Sequence, residues 1–124
     1  MKFSIYQLMI LCLFAIGISS FTQKNIMKEN ATEVVIYKIS AEKVGEYEAI
    51  SKLPDSFLQK QEGFVSRKIY RDLKNPQIFL DIVEWGSLEA GEKATKNLES
   101  DEALLPFLQA TEEVISFSHY QSYP

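Results

Sequence analysis

Four residues before the only tryptophan of this 124-residue chain stands a carboxylate, in the run Phe79-Leu80-Asp81-Ile82-Val83-Glu84-Trp85. Side chains on an extended strand alternate between faces, so Phe79, Asp81, Val83 and Trp85 share one side. A carboxylate among apolar neighbours is costly unless it is paired or solvated. Asp81 is therefore expected either to meet a Lys or Arg or to line a polar pocket, where burial would suit it to act as a general base for a phenol or enol. Trp85 either fills the corner between its strand and the next helix or offers a flat wall on which a ring stacks. Histidine is the side-chain type suited to proton exchange near neutrality, so His119, the only one, is the second candidate acid–base group. The catalytic candidates are thus Asp81 and His119. The candidates for ligand contact are Trp85, Phe79, Tyr37 and Tyr70. Each has a plainer alternative: a salt bridge for Asp81, hydrogen-bonded packing for His119, cross-strand aromatic pairing for the tyrosines.

Other chemistries lack their residues. A single histidine gives no His-based metal cluster, and no carboxylate spacing suggests one, so neither metal nor cofactor is expected. Glycine-rich phosphate loops, G-x-S-x-G turns and paired catalytic carboxylates are absent from the sequence. Thirteen basic residues stand against 17 acidic ones, with no basic run, which disfavours nucleic acid as a partner.

The first stretch, MKFSIYQLMILCLFAIGISS, has Lys2, then an apolar run from Ile5 to Ile18, then small residues. That is the layout of a secretory signal peptide over residues 1–20. The run is shorter than the roughly 18–20 residues a spanning helix needs. Met9, Ile10 and Leu11 precede Cys12 where a lipoprotein needs a small residue, so lipidation is rejected. The expectation is an exported protein, periplasmic or secreted, with the leader cleaved, and touching a membrane only if the leader is left in place. The mature chain would hold no cysteine. Residues 21–32 read as a polar tether and residues 33–124 as one domain.

Within that domain EVVIYKIS (33–40), FVSRKIYRD (64–72), QIFLDIVEW (77–85) and VISFSHYQSY (114–123) read as strands. Between the first two, Val44, Tyr47, Ile50 and Leu53 fall at helical spacing behind Ser40 as cap, with Pro54 expected to break or kink the helix and Gly63 to end it. Ser87 is expected to cap a second helix with Leu88, Gly91, Ala94 and Leu98 on one stripe, and Ser100 a shorter one through Leu104 and Leu108. Arg67 and Arg71 read as a solvated or interface face. The order βαββαβ fits an α+β, ferredoxin-like fold, a four-stranded antiparallel sheet with helices on one face. Strand three is apolar on both faces, because Ile78, Leu80 and Ile82 oppose the Phe79 set. Only one set can meet the helices, so a homodimer through the bare sheet face is expected.

The run GFVSRKIYRD, then Pro76, then FLDIVEWGSLEAGEKA resembles the antibiotic biosynthesis monooxygenase superfamily of dimeric α+β barrels. The resemblance spans about residues 33–123. It implies a pocket between sheet and helices with Trp85 in its wall, and an activity ranging from cofactor-free oxygenation of quinol-like aromatics to haem degradation. Where the cofactor-free oxygenases carry Asn, four residues before the Trp, this chain has Asp81. Many members have a His in helix two, and here Ala94 stands there with Lys93 beside it. Strand one, VVIYKI, lacks the Asn of the haem-degrading members, so haem degradation is disfavoured. What remains is a cofactor-independent monooxygenase for an aromatic or quinol-like substrate, a non-catalytic binder of a small aromatic molecule, or a structural homodimer.

Overall fold

β-Branched and aromatic residues at alternating positions build four strands in the computed structural model, which describes residues 29–124. The expected leader and most of the tether lie outside the described residues. The strands are β1 (Ala31–Ile39), β2 (Phe64–Arg71), β3 (Ile78–Trp85) and β4 (Thr111–Tyr120). They pair antiparallel in the order β2-β3-β1-β4, the expected ferredoxin-like sheet. The helices are α1 (Tyr47–Ile50), α2 (Lys52–Gln59), α3 (Leu88–Leu98) and α4 (Leu105–Ala110). Among the described residues no helix is long and apolar enough to cross a membrane.

The breaks and caps differ from expectation in three places. The first helical run divides at Ser51, and Pro54 sits in the first turn of α2. The first N–H groups of a helix have no intrahelical partner, so the missing donor of proline costs nothing there. No side chain caps that run; Ser40 acts through its carbonyl, which accepts from the N–H groups of Lys43 and Val44. Asp101, rather than Ser100, caps the turn before α4 by accepting from the Ala103 N–H at 3.0 Å. Ser87 caps α3 as expected, accepting from the Ala90 N–H at 3.1 Å. Gly63 has φ +84, and a Cβ there would lie 2.6 Å from the Ala90 Cβ, so this corner takes only glycine.

Register decides which residues face the helices. Ala31, Glu33, Val35 and Tyr37 of β1 lie opposite Trp85, Val83, Asp81 and Phe79 of β3, and all eight point inward. Two core clusters fill that side, one around Trp85, Val83 and Phe57, the other around Tyr37, Phe79 and Tyr47. On the opposite face stand Val34, Ile36, Leu80 and Ile82, half-buried with no layer above them among the described residues. The two-sided apolar pattern of β3 thus corresponds to one covered and one uncovered face.

Candidate functional site

Both alternatives weighed for Asp81 hold together. Its side chain is buried, it lines a cavity, and it is paired. Oδ1 accepts from the Tyr37 hydroxyl at 2.7 Å, and Oδ2 from Arg67 Nε at 2.8 Å. Arg67 Nη2 lies 2.6 Å from the same Oδ2, an ion-pair contact off the hydrogen-bond axis. Arg67 Nη1 donates to the Ser51 carbonyl at 2.8 Å and to Asp55 Oδ1 at 2.9 Å. Tyr37 has a single proton and gives it to Asp81, so the Tyr47 hydroxyl, in close contact with that of Tyr37, is the donor between the two phenols.

Arg67 is the residue that sequence reasoning misplaced. Its side chain is 2 % exposed, not solvated. A bulge between Phe64 and Ser66 shifts the phase of β2, so Phe64 packs on the core and Arg67, three residues on, points inward as well. The same shift carries Tyr70 outward, opposite Leu80 and half exposed, so it is not brought to the cavity. Tyr47 was legible as an apolar-spaced helix residue, but its hydroxyl has no periodic signature.

Burial dominates the ionisation of this network. It pushes the Asp81 carboxyl up, against the pull of the Arg67 guanidinium and the Tyr37 hydroxyl. It would also neutralise Arg67, but the Asp81 charge and the Asp55 hydrogen bond outweigh it and hold the guanidinium charged. Burial and the adjacent Asp81 charge push Tyr37 far above the ordinary tyrosine value. Tyr47 is pushed up to about 12, again chiefly by burial.

The cavity has a volume of about 90 Å³ between sheet and helices. Val35, Val83, Phe57, Leu104, Phe107 and Phe117 supply much of its apolar wall; Tyr37, Asp81, Glu33 and Thr111 are its polar residues. The Thr111 hydroxyl donates to the Phe107 carbonyl at 2.9 Å. Trp85 and Phe79 do not line it. Trp85, 1 % exposed, packs edge-on to Phe64, and Phe79 stacks on Tyr47 with ring centroids 3.8 Å apart. The Trp85 corner is filled, which is the plainer of its two readings.

His119 lies beyond the other end of the cavity. Its Nε2 sits 2.9 Å from Glu33 Oε2, and both side chains are buried. Glu33 and His119 are direct cross-strand partners on β1 and β4. A bulge at Ile36/Tyr37 replaces Ile115 by Val114 on the inward face, and leaves Phe117 and His119 inward as alternation predicts. Gly91 makes room for the imidazole, because a Cβ there would stand 3.0 Å from Nε2 and 3.1 Å from Trp85 Cδ1. Gly91→Ala is expected to destabilise the protein by about 1–2 kcal/mol, crowding outweighing the gain in helix propensity of about 1 kcal/mol. Urea unfolding with Trp85 emission as the probe checks this, and a stabilised variant would show that the corner is loose. Among the described residues no cluster of three or more His, Cys, Asp or Glu could hold a metal ion.

These features define a fold already seen in other proteins: the chain has the fold of the antibiotic biosynthesis monooxygenase superfamily. SnoaB of Streptomyces nogalater, a cofactor-independent oxygenase, is similar with a TM-score of 0.62 and 18% identity, covering 77% of this chain and 95% of its own. A protein of Bordetella bronchiseptica named after the antibiotic biosynthesis monooxygenases reaches a TM-score of 0.68 at 13% identity, over 77% of this chain and 99% of its own. A protein of Shewanella loihica named after monooxygenases gives 0.61 at 15%, over 79% and 98%. At these identities the likeness is one of fold. No protein-family model matches the chain, and no curated protein does.

Proposed function

We propose that this protein binds a single-ring phenol or quinol in the cavity beside Asp81 and oxygenates it without a cofactor. The observation that carries the reading is a nearly all-apolar cavity whose wall holds two buried carboxylates, Asp81 and Glu33, in a fold shared with a cofactor-independent oxygenase. Such a wall takes an aromatic ring and leaves its hydroxyl beside groups able to accept a proton. An apolar cavity of about 150 Å³ holds benzene. A site of about 90 Å³ therefore suits one ring, with some yielding of side chains, and not a fused polycycle.

Removal of the hydroxyl proton leaves an electron-rich phenolate, which passes an electron to dioxygen. Recombination forms a carbon–oxygen bond, and one oxygen atom stays on the ring as a carbonyl. The other leaves as water, with the hydrogen of the attacked carbon and a solvent proton that replaces the one the hydroxyl gave up, so atoms and electrons balance. The test is oxygen uptake with monocyclic phenols and quinols, run beside ligand binding followed by NMR. Binding without uptake would favour a non-catalytic carrier. That second reading is favoured by the network itself, because both Asp81 oxygens already have partners.

The working form proposed is an exported homodimer, the face bearing Val34, Ile36, Leu80 and Ile82 meeting its copy. Ile36→Asp places a charge in that face and is expected to give a monomer in analytical ultracentrifugation. A wild type that sediments as a monomer would refute the dimer.

A further inference from the structure

We infer that Glu33, not Asp81, is the base that takes the substrate proton, and that it hands the proton to His119, which returns it to solvent through a second depression. The inference rests on the reading of the cavity as a phenol site. Three observations carry it.

The first is that Asp81 is committed. Tyr37 fills one oxygen and Arg67 the other, so a proton arriving there must displace a buried partner. Glu33, the other carboxylate in the cavity wall, has no such clamp; its close neighbour is the His119 ring. The second is that the acceptor next in line stands open. His119 Nε2 has no hydrogen-bond partner among the described residues although it lies 2.9 Å from Glu33 Oε2. As with Arg67 Nη2, the contact lies off the hydrogen-bond axis, and a turn of the imidazole aligns its nitrogen with a proton on that carboxylate, already within transfer distance. The third is that the pair spans two spaces. Glu33 lines the inner cavity, whereas His119 lines a separate depression of about 260 Å³ with Asn30, Leu88 and Gln121. The geometry gives a route from the ring, through one carboxylate and one imidazole, to a depression bordered by the exposed residues Asn30 and Gln121.

Neighbouring elements preserve the arrangement. α3 brings Gly91 against the imidazole, so no side chain of that residue intrudes, and the next residue, Glu92, is buried with an interaction of its own. β3 presents Val83 opposite Glu33, leaving His119 as the nearest ionisable partner of that carboxylate in the register of the sheet. The relay needs a carboxylate that accepts the hydroxyl proton and an imidazole nitrogen that accepts it in turn. After transfer the substrate is a phenolate, the carboxylate is again charged, and the imidazolium lies between it and solvent. No oxidant or reductant enters this step.

The test uses two fluorinated probes on the full chain: 2,6-difluorophenol, an acidic phenol, and 1,3-difluorobenzene, the same ring without the hydroxyl. The ¹⁹F shift reports binding and ionisation of the probe, and the ring ¹⁵N shifts report the protonation of His119. The phenol is expected to bind as phenolate, at a pH where it is mostly protonated in solution, and to convert His119 to imidazolium. The benzene is expected to bind and leave His119 unchanged. Glu33→Gln should weaken the phenol about tenfold, equivalent to about 1.4 kcal/mol, and abolish the His119 response while the benzene still binds. Asp81→Asn should keep the His119 response. If Glu33→Gln leaves that response intact, or Asp81→Asn alone removes it, the relay is wrong although the cavity reading stands. If neither probe binds the wild type, the cavity reading fails and the relay with it.

Discussion

Arg67→Ala is expected to cost about 3–5 kcal/mol, enough to remove much of the stability of a domain this size. The size of the effect comes from what the substitution leaves behind. Arg67 holds Asp81 through Nε and Nη2, and Asp55 and the Ser51 carbonyl through Nη1, while its own side chain is nearly sealed from water. Without it Asp81 remains buried with only the Tyr37 hydroxyl as partner. An uncompensated buried carboxylate is among the few defects that single substitutions rarely survive. Urea unfolding at neutral pH measures the loss as a lower midpoint at unchanged slope. A cost below about 1 kcal/mol, the worth of an exposed pair, would mean that water reaches the network.

The paired replacement separates a stabilising interaction from a merely satisfied one. Arg67→Met with Asp81→Leu removes both charges and keeps an apolar filling. Buried ion pairs exchanged for packed apolar groups are often neutral or better. The double variant should therefore recover most of what Arg67→Ala loses, short of the Tyr37 hydroxyl and Ser51 carbonyl that it strands. If it does, the network is held for what it does to the cavity rather than for stability. Asp81 would then be a fixed negative charge and Tyr37 a fixed dipole beside the ligand.

How much of this was legible in the sequence depends on the kind of signal. Period-two alternation in β3 separated Phe79, Asp81, Val83 and Trp85 from Ile78, Leu80 and Ile82, because one strand's faces depend on that strand alone. The cost of an unpaired carboxylate predicted that Asp81 would have a cationic partner or a pocket. Its identity was not legible, since Arg67 reaches Asp81 only because a bulge at Phe64/Ser66 resets β2, and a bulge belongs to the pairing of two strands. The same step carries Tyr70 away from the site. Glu33 was hidden for another reason: it is a lone carboxylate near the start of an otherwise apolar alternating strand, and only the register with β4 sets it against His119. Gly91 was legible only as a position on the inward stripe of its helix, and the imidazole it makes room for was not.

Alkali should unfold this protein steeply, and the two phenols explain why. Tyr47 is raised from 10.0 to about 12 in the folded chain, and Tyr37 is raised further, in both cases chiefly by burial. Above pH 10 the unfolded chain releases these protons while the folded chain retains them. The unfolded state then binds fewer protons, so stability, fully present below pH 10, falls as pH rises. Each group contributes a slope of about 1.4 kcal/mol per pH unit within its window. Together they remove on the order of 5 kcal/mol between pH 10 and 12, comparable with the whole stability of a small domain. Urea midpoints through that range measure the slope, and the share of tyrosinate absorbance that belongs to Tyr37 and Tyr47 should appear only with unfolding. Tyr47→Phe keeps the stack on Phe79 and the Tyr37 bond to Asp81, so it should cost about 1 kcal/mol at neutral pH and halve the alkaline slope. An undiminished slope in that variant would place the alkaline sensitivity elsewhere. A halved slope would mean that Tyr37 keeps its proton through that range without Tyr47, held on its bond to Asp81 and unavailable to any ligand. The cavity would then have to find its proton acceptor outside this network, which is the condition the Glu33–His119 pair meets.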